Sequence, residues 1–157
     1  MDSKGIEKVV RAVIDSLNNK MTLELARKIV KAVEEKAKEI GVNAVIAVSN
    51  EGANPVIVEC MDDSYIASYD IAVNKAYTSV ALKMSTKKLS SLSQPNGELY
   101  GIQFTNEGKI VIFGGGVPLI SNGRIIGGLG VSGGSEEQDT FLAEYGEKVF
   151  DEILKTR

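Results

Sequence analysis

The chain has 157 residues, 43% of them hydrophobic, enough for one domain with a real core. Its 18 basic and 21 acidic residues give a formal charge of −3 spread along the chain, which argues against a basic face for nucleic acid and a polybasic membrane anchor. With no histidine and a single cysteine, Cys60, it lacks the means for Ser–His or Cys–His catalysis, the commonest metal ligand and an intrachain disulfide framework.

Taken in order, Ile6, Val9, Val10, Val13, Ile14 and Leu17 recur at helical spacing with Glu7, Lys8, Arg11 and Asp15 opposite, so a short amphipathic helix is expected, set slightly apart. Asn18-Asn19-Lys20 breaks the pattern, and Thr22 is placed to cap a second helix carrying Ala26, Ile29, Val30, Val33, Ala37 and Ile40 and ending at Gly41. Strands are expected over Val42 to Val48 and Val56 to Met61, joined by a turn-rich segment. Ser64 is then the expected cap of a long helix from about Tyr65 to Met84, with Ile66, Tyr69, Val73, Ala76, Tyr77, Val80 and Met84 as its buried stripe. A shorter helix capped by Ser85 or Thr86 follows, and Glu98 to Lys109 reads as loop. Asn122-Gly123 suits a tight turn joining Val117–Ile120 to Arg124–Val131. Ser135 and Gln138 form a capping box for a last helix with Leu142, Tyr145, Val149 and Ile153 inward. The order predicts an α+β fold with a mainly antiparallel sheet flanked by helices.

Glycines concentrate in the late hairpin. Gly127, Gly128 and Gly130 bare one strand, which either lets another element pack closely or leaves room for a ligand on the sheet. Gly128-Leu129-Gly130-Val131-Ser132-Gly133 matches a dinucleotide-binding pattern literally, but one helix remains after it and the hairpin is antiparallel, so the βαβ context is missing. Gly114, Gly115 and Gly116 with Pro118 can bring backbone N–H groups to an anion, or simply make a tight bend. Glu59, Asp62 and Asp63 read as a solvated turn rather than a metal site, and Glu136, Glu137 and Asp139 suit the positive end of the last helix.

The segments Leu23–Val48, Asn74-Lys75-Ala76 and Gly115–Leu119, and above all Gly127–Gly134 followed by Gln138-Asp139, resemble the GlcG, HbpS and PduO C-terminal domain family over about residues 21 to 154. That resemblance implies a roughly five-stranded antiparallel sheet similar to profilin and roadblock domains, assembly into homo-oligomers, and haem binding in several members. Without histidine, an axial ligand to haem iron must be a tyrosine or cysteine side chain, which leaves Cys60 and Tyr65, Tyr69, Tyr77, Tyr100 or Tyr145 as candidates, or else a tetrapyrrole is held by apolar contact alone. Each also has a plainer reading: Cys60 as a small buried hydrophobe, the tyrosines as core or interface residues, and Lys75, a further polar candidate, on a solvated helix face.

Residues 1–20 lie outside this resemblance, and Gly5 to Leu17 resembles the amphipathic peptides that direct enzymes into bacterial microcompartments, laying an apolar stripe on a shell or cargo protein. Packing of this helix on its own domain is the alternative. The expected domains are thus an extension over 1–20 and a ligand-binding domain over 21–157. The site expectation is Gly114, Gly115, Gly116, Pro118, Gly128, Gly130, Lys75, Tyr69 and Cys60. The leading functional expectation is a non-catalytic, oligomeric accessory protein for a tetrapyrrole, haem or corrinoid, carried in a propanediol-utilisation-type microcompartment. The alternatives are a small-metabolite enzyme using carboxylates, Lys75 or tyrosine, or a scaffold without ligand. No run approaches the roughly 20 apolar residues of a membrane helix and no secretory signal is legible, so a cytoplasmic place, and with it a microcompartment lumen, is expected.

Overall fold

The computed structural model describes residues 2–156, except the side chains of Leu17 and Asn18, so the expected place of Leu17 on the first apolar stripe lies outside the described residues. Helix α1 spans Ser3–Asn18, with the Asp2 carboxylate accepting the Gly5 N–H as its cap. Its apolar stripe is not buried: Ile6, Val9, Val10 and Val13 are each about half exposed, and among the described residues α1 makes no extensive contact with any other element.

Helix α2, Leu23–Glu39, begins where Thr22 accepts the Leu25 N–H and buries Leu25, Ala26, Ile29, Val30, Val33 and Ala37. Each such Leu, Ile or Val contributes about 1.5–3 kcal/mol of burial. Strands β1, Val45–Asn50, and β2, Pro55–Cys60, form the first hairpin. Strands β3, Gly116–Ser121, and β4, Arg124–Ser132, form the second, turning at Asn122 (φ 49°) and Gly123 (φ 74°) as Asn-Gly allows. The sheet order is β2-β1-β4-β3, all antiparallel. Helix α3, Ser68–Ala81, covers one face, and α2 with α5, Glu136–Lys155, covers the other. The short α4, Thr86–Leu92, capped by Ser85, packs against α3 and β3. The main core lies under α2 and α5, around Ile46, Val48, Leu129 and Val131.

The α+β expectation holds, with four strands instead of about five. Residues 110–115 lie outside the sheet and bend at 113–115, and two of their amides are taken up by side chains: Val111 N–H donates to Thr78 Oγ1 at 3.0 Å and Gly114 N–H to Glu136 Oε1 at 2.8 Å. The expected start of α3 is also corrected. The helix begins at Ser68 with no side-chain cap, Ile66 is 98% exposed and Tyr69 half exposed, and the inward side carries Ser68, Ala72, Lys75, Ala76, Ser79 and Val80. Among the described residues no helix is long and apolar enough to cross a membrane.

Candidate functional site

The face of α3 that meets the sheet is lined with small residues, and β4 answers with glycines. A Cβ at Gly130 would lie 2.0 Å from the Ala72 carbonyl oxygen, and one at Gly128 would lie 2.5 Å from that of Ala76. The bare backbone therefore admits the chain's own helix, and no space for a ligand remains on that part of the sheet. Gly116 is likewise tight against the Lys75 carbonyl, and its N–H donates to Thr86 Oγ1 at 2.9 Å. Gly114 abuts Thr140, and Pro118 is buried in β3.

This close approach carries Lys75 into the interior. Its side chain is 0% exposed, which overturns the solvated-face reading. Nζ donates to the Val131 carbonyl at 2.8 Å and to Asp139 Oδ2 at 2.9 Å, and lies 4.9 Å from the centre of the Phe113 ring. Gly115, at φ 114°, leaves the room: a Cβ there would be 2.7 Å from Nζ. The other Asp139 oxygen accepts the Gly134 N–H at 2.8 Å, so this carboxylate ties α5, α3 and the end of β4 together. Burial pushes the Lys75 ammonium below its ordinary pKa, while the charge and hydrogen bond of Asp139, and more weakly Glu136, oppose that shift.

Beside this pair opens a cleft of about 240 Å³, lined by Tyr65, Ser68, Phe113, Ser132, Gly134, Glu136 and Asp139 among others. Inside it the buried Ser132 hydroxyl donates to Ser68 Oγ at 3.0 Å. Of the candidates expected from sequence, Tyr65 lines this cleft and Lys75 lies behind it on Asp139. Tyr69 is exposed on α3 next to Ser68, outside the cleft lining. Cys60 is exposed, against the expectation of a small buried residue, and lines a second cleft of about 370 Å³ with Glu34, Lys38, Asn43, Glu59, Met61 and Asp62. There burial, with repulsion from Glu34, raises the Glu59 carboxyl against the opposing Lys38. Among the described residues no group of three or more His, Cys, Asp or Glu side chains is arranged to hold a metal.

Sequence reasoning missed Asp139, Phe113, Ser68 and Ser132. Asp139 satisfies the helix-end rule and so drew no further attention, although it alone of the first-turn acids is buried. The hydroxyls carried no signal, since their pairing spans 64 residues.

Residues 21–148 match the family described as haem degrading protein HbpS-like. A 15.0 kDa protein from the dhaT–dhaS intergenic region of Citrobacter freundii is 47% identical over 133 residues, covering 85% of this chain and 94% of that protein. The corrinoid adenosyltransferase PduO of the same organism is 35% identical over 145 residues, 90% of this chain but 43% of the relative, so the chain spans less than half the length of that enzyme. The crystal structure of a PduOC–haem complex superposes with a TM-score of 0.80 at 35% identity, covering 83% of this chain and 94% of that one.

A tetrapyrrole finds a partial fit here. Sites that enclose a drug-sized ligand usually measure roughly 300–1,000 Å³, so the cleft at about 240 Å³ can receive only an edge of such a ring. Tyr65 and Tyr69, 72% and 50% exposed, are phenols of the type that ligate haem iron, and Ile66 and Phe113 add apolar surface beside them.

Proposed function

Because the chain belongs to the HbpS-like family, we propose that it is a non-catalytic, homo-oligomeric accessory protein that binds a tetrapyrrole on an open aromatic face. The observation that carries this reading is the exposed group Tyr65, Ile66, Tyr69 and Phe113 around the cleft mouth, apolar surface of the kind that marks a binding site when left uncovered. In this reading Tyr65 or Tyr69 supplies the oxygen ligand, Phe113 stacks, and Lys75 with Asp139 fixes the floor beneath. Bound haem would supply its iron for redox or oxygen chemistry, while the chain's residues hold and orient it. A second subunit over the same face would complete the enclosure that the cleft alone does not give.

We further infer that α1 carries the domain as cargo into a propanediol-utilisation-type microcompartment. Likeness to PduO and an amphipathic helix whose apolar stripe stands about half exposed support this reading.

Titration with haemin and with cobalamin, followed by absorption, tests the first part. A saturable spectral shift with one of them is expected, lost on replacing Tyr65 and Tyr69 together by Phe; no shift with either refutes it. For the second part, protein lacking residues 1–20 should stay folded and no longer sediment with isolated shells. Unaltered sedimentation refutes it.

A further inference from the structure

The cleft brings together more chemistry than a ring-binding face requires. Lys75, Asp139, Ser68 and Ser132 are all at most 4% exposed and converge on one end of the sheet, with Asp139, Ser68 and Ser132 on the cleft wall and Lys75 one hydrogen bond behind Asp139. A buried ion pair whose only task is cohesion is commonly matched or bettered by apolar residues of the same volume, so this one invites a chemical reading.

We propose that the cleft captures a short, neutral aldehyde or ketone as an imine on Lys75 Nζ, with Asp139 moving the protons and the Ser68–Ser132 pair holding the carbonyl oxygen. The class of ligand follows from the walls. Glu136 and Asp139 give the cleft negative charge, which disfavours a keto acid, and about 240 Å³ corresponds to roughly eight water volumes, enough for a chain of a few carbons. The Ser68–Ser132 pair uses one of its two hydroxyl protons internally, so the other remains to donate to a carbonyl oxygen. Phe113 is the cover: its ring lies against Nζ and is 39% exposed, on the bend outside the sheet, so turning it away opens Nζ to the cleft.

The step balances without an oxidant or reductant. Asp139 takes a proton from the ammonium, the freed amine pair attacks the carbonyl carbon, and Asp139 returns that proton to the carbonyl oxygen, which becomes a hydroxyl. Asp139 then takes the second nitrogen proton and gives it to the departing hydroxyl, which yields the protonated C=N bond and one water and leaves Asp139 as a carboxylate. Burial supports the neutral amine that the attack requires.

The test uses the full chain with propanal and sodium cyanoborohydride at pH 7, where an exposed lysine of pKa about 10.4 is neutral in only roughly one molecule in 2,500. The modified residues are located by peptide mapping, in which the α-amino group, neutral more often at this pH, is counted separately. Lys75 should carry the propyl group at least about tenfold faster than any exposed lysine. Phe113→Ala, which keeps the ion pair, should accelerate labelling of Lys75, and pyruvate should label it more slowly than propanal. Labelling of Lys75 no faster than that of the exposed lysines overturns the proposal, as does Phe113→Ala leaving its rate unchanged or pyruvate outpacing propanal. The readout is mass, so its outcome is separate from that of the tetrapyrrole titrations.

Discussion

Helices α1 and α3 reverse the usual relation between pattern and burial. Helix α1 has a clean apolar stripe, yet Ile6, Val9, Val10 and Val13 stand about half exposed. Helix α3 mixes Ser68, Lys75, Thr78 and Ser79 into its inward side and has the most extensive contact of any helix with the sheet. Periodicity reports that a helix has a face to cover; it does not report what covers it. For α3 the answer is written elsewhere, in the glycines of β4 and in Asp139 of α5, which let polar groups enter the interior because each finds a partner there.

The sharpest way to break this contrast is to strand one of those partners. Lys75→Met leaves the Asp139 carboxylate buried without its cation and should cost about 3–5 kcal/mol in urea unfolding. Adding Asp139→Asn should restore most of the loss; no recovery would show that the lysine acts through packing alone. Next comes the helix–strand seam. Gly130→Ala sets a Cβ where the Ala72 carbonyl stands, and should destabilise by about 1–3 kcal/mol with the cleft chemistry otherwise retained. A wild-type midpoint would mean that α3 can ride up at little cost.

Alkaline pH gives a finer probe. The Lys75 ammonium lies below its ordinary 10.5 in the folded protein, so between that lowered value and 10.5 the unfolded chain binds more protons than the folded one. Stability should therefore rise with pH across that window relative to the Lys75→Met, Asp139→Asn variant, and should show the full burial penalty below it. A parallel pair of urea-midpoint profiles would remove burial as the dominant influence on this lysine. The smallest effect belongs to α1: removing residues 1–20 should change domain stability by less than about 0.5 kcal/mol, the scale of surface changes away from packed features. A larger loss would mean that α1 packs on the domain after all.

The features that sequence made legible are those decided within a few residues. Thr22 accepting the Leu25 N–H, the Asn122-Gly123 turn and the reciprocal Ser135–Gln138 cap all stand where local rules put them. The family likeness likewise followed from contiguous motifs. Misreadings arose where a distant group decides. Ser64 looked like a cap, but the helix waits until Ser68, whose hydroxyl is engaged by Ser132 across the sheet. About five strands are expected from the family resemblance, yet Thr78 and Glu136 take the amides of Val111 and Gly114, which a strand before β3 would have used. Lys75 looked solvated because nothing near it in the chain announces Asp139, 64 positions away.

Gly115 carries a consequence for how this chain can vary. Its backbone is left-handed, and the volume a methyl group would take already holds the Lys75 nitrogen, so two separate penalties fall on one position. Gly41, at φ 72° with nothing within 4 Å, carries only the first. In a saturation library selected for folded protein, position 41 should accept asparagine while position 115 stays monomorphic even where residue 75 has shortened, because the Val131 carbonyl oxygen would still stand 2.6 Å from the new Cβ.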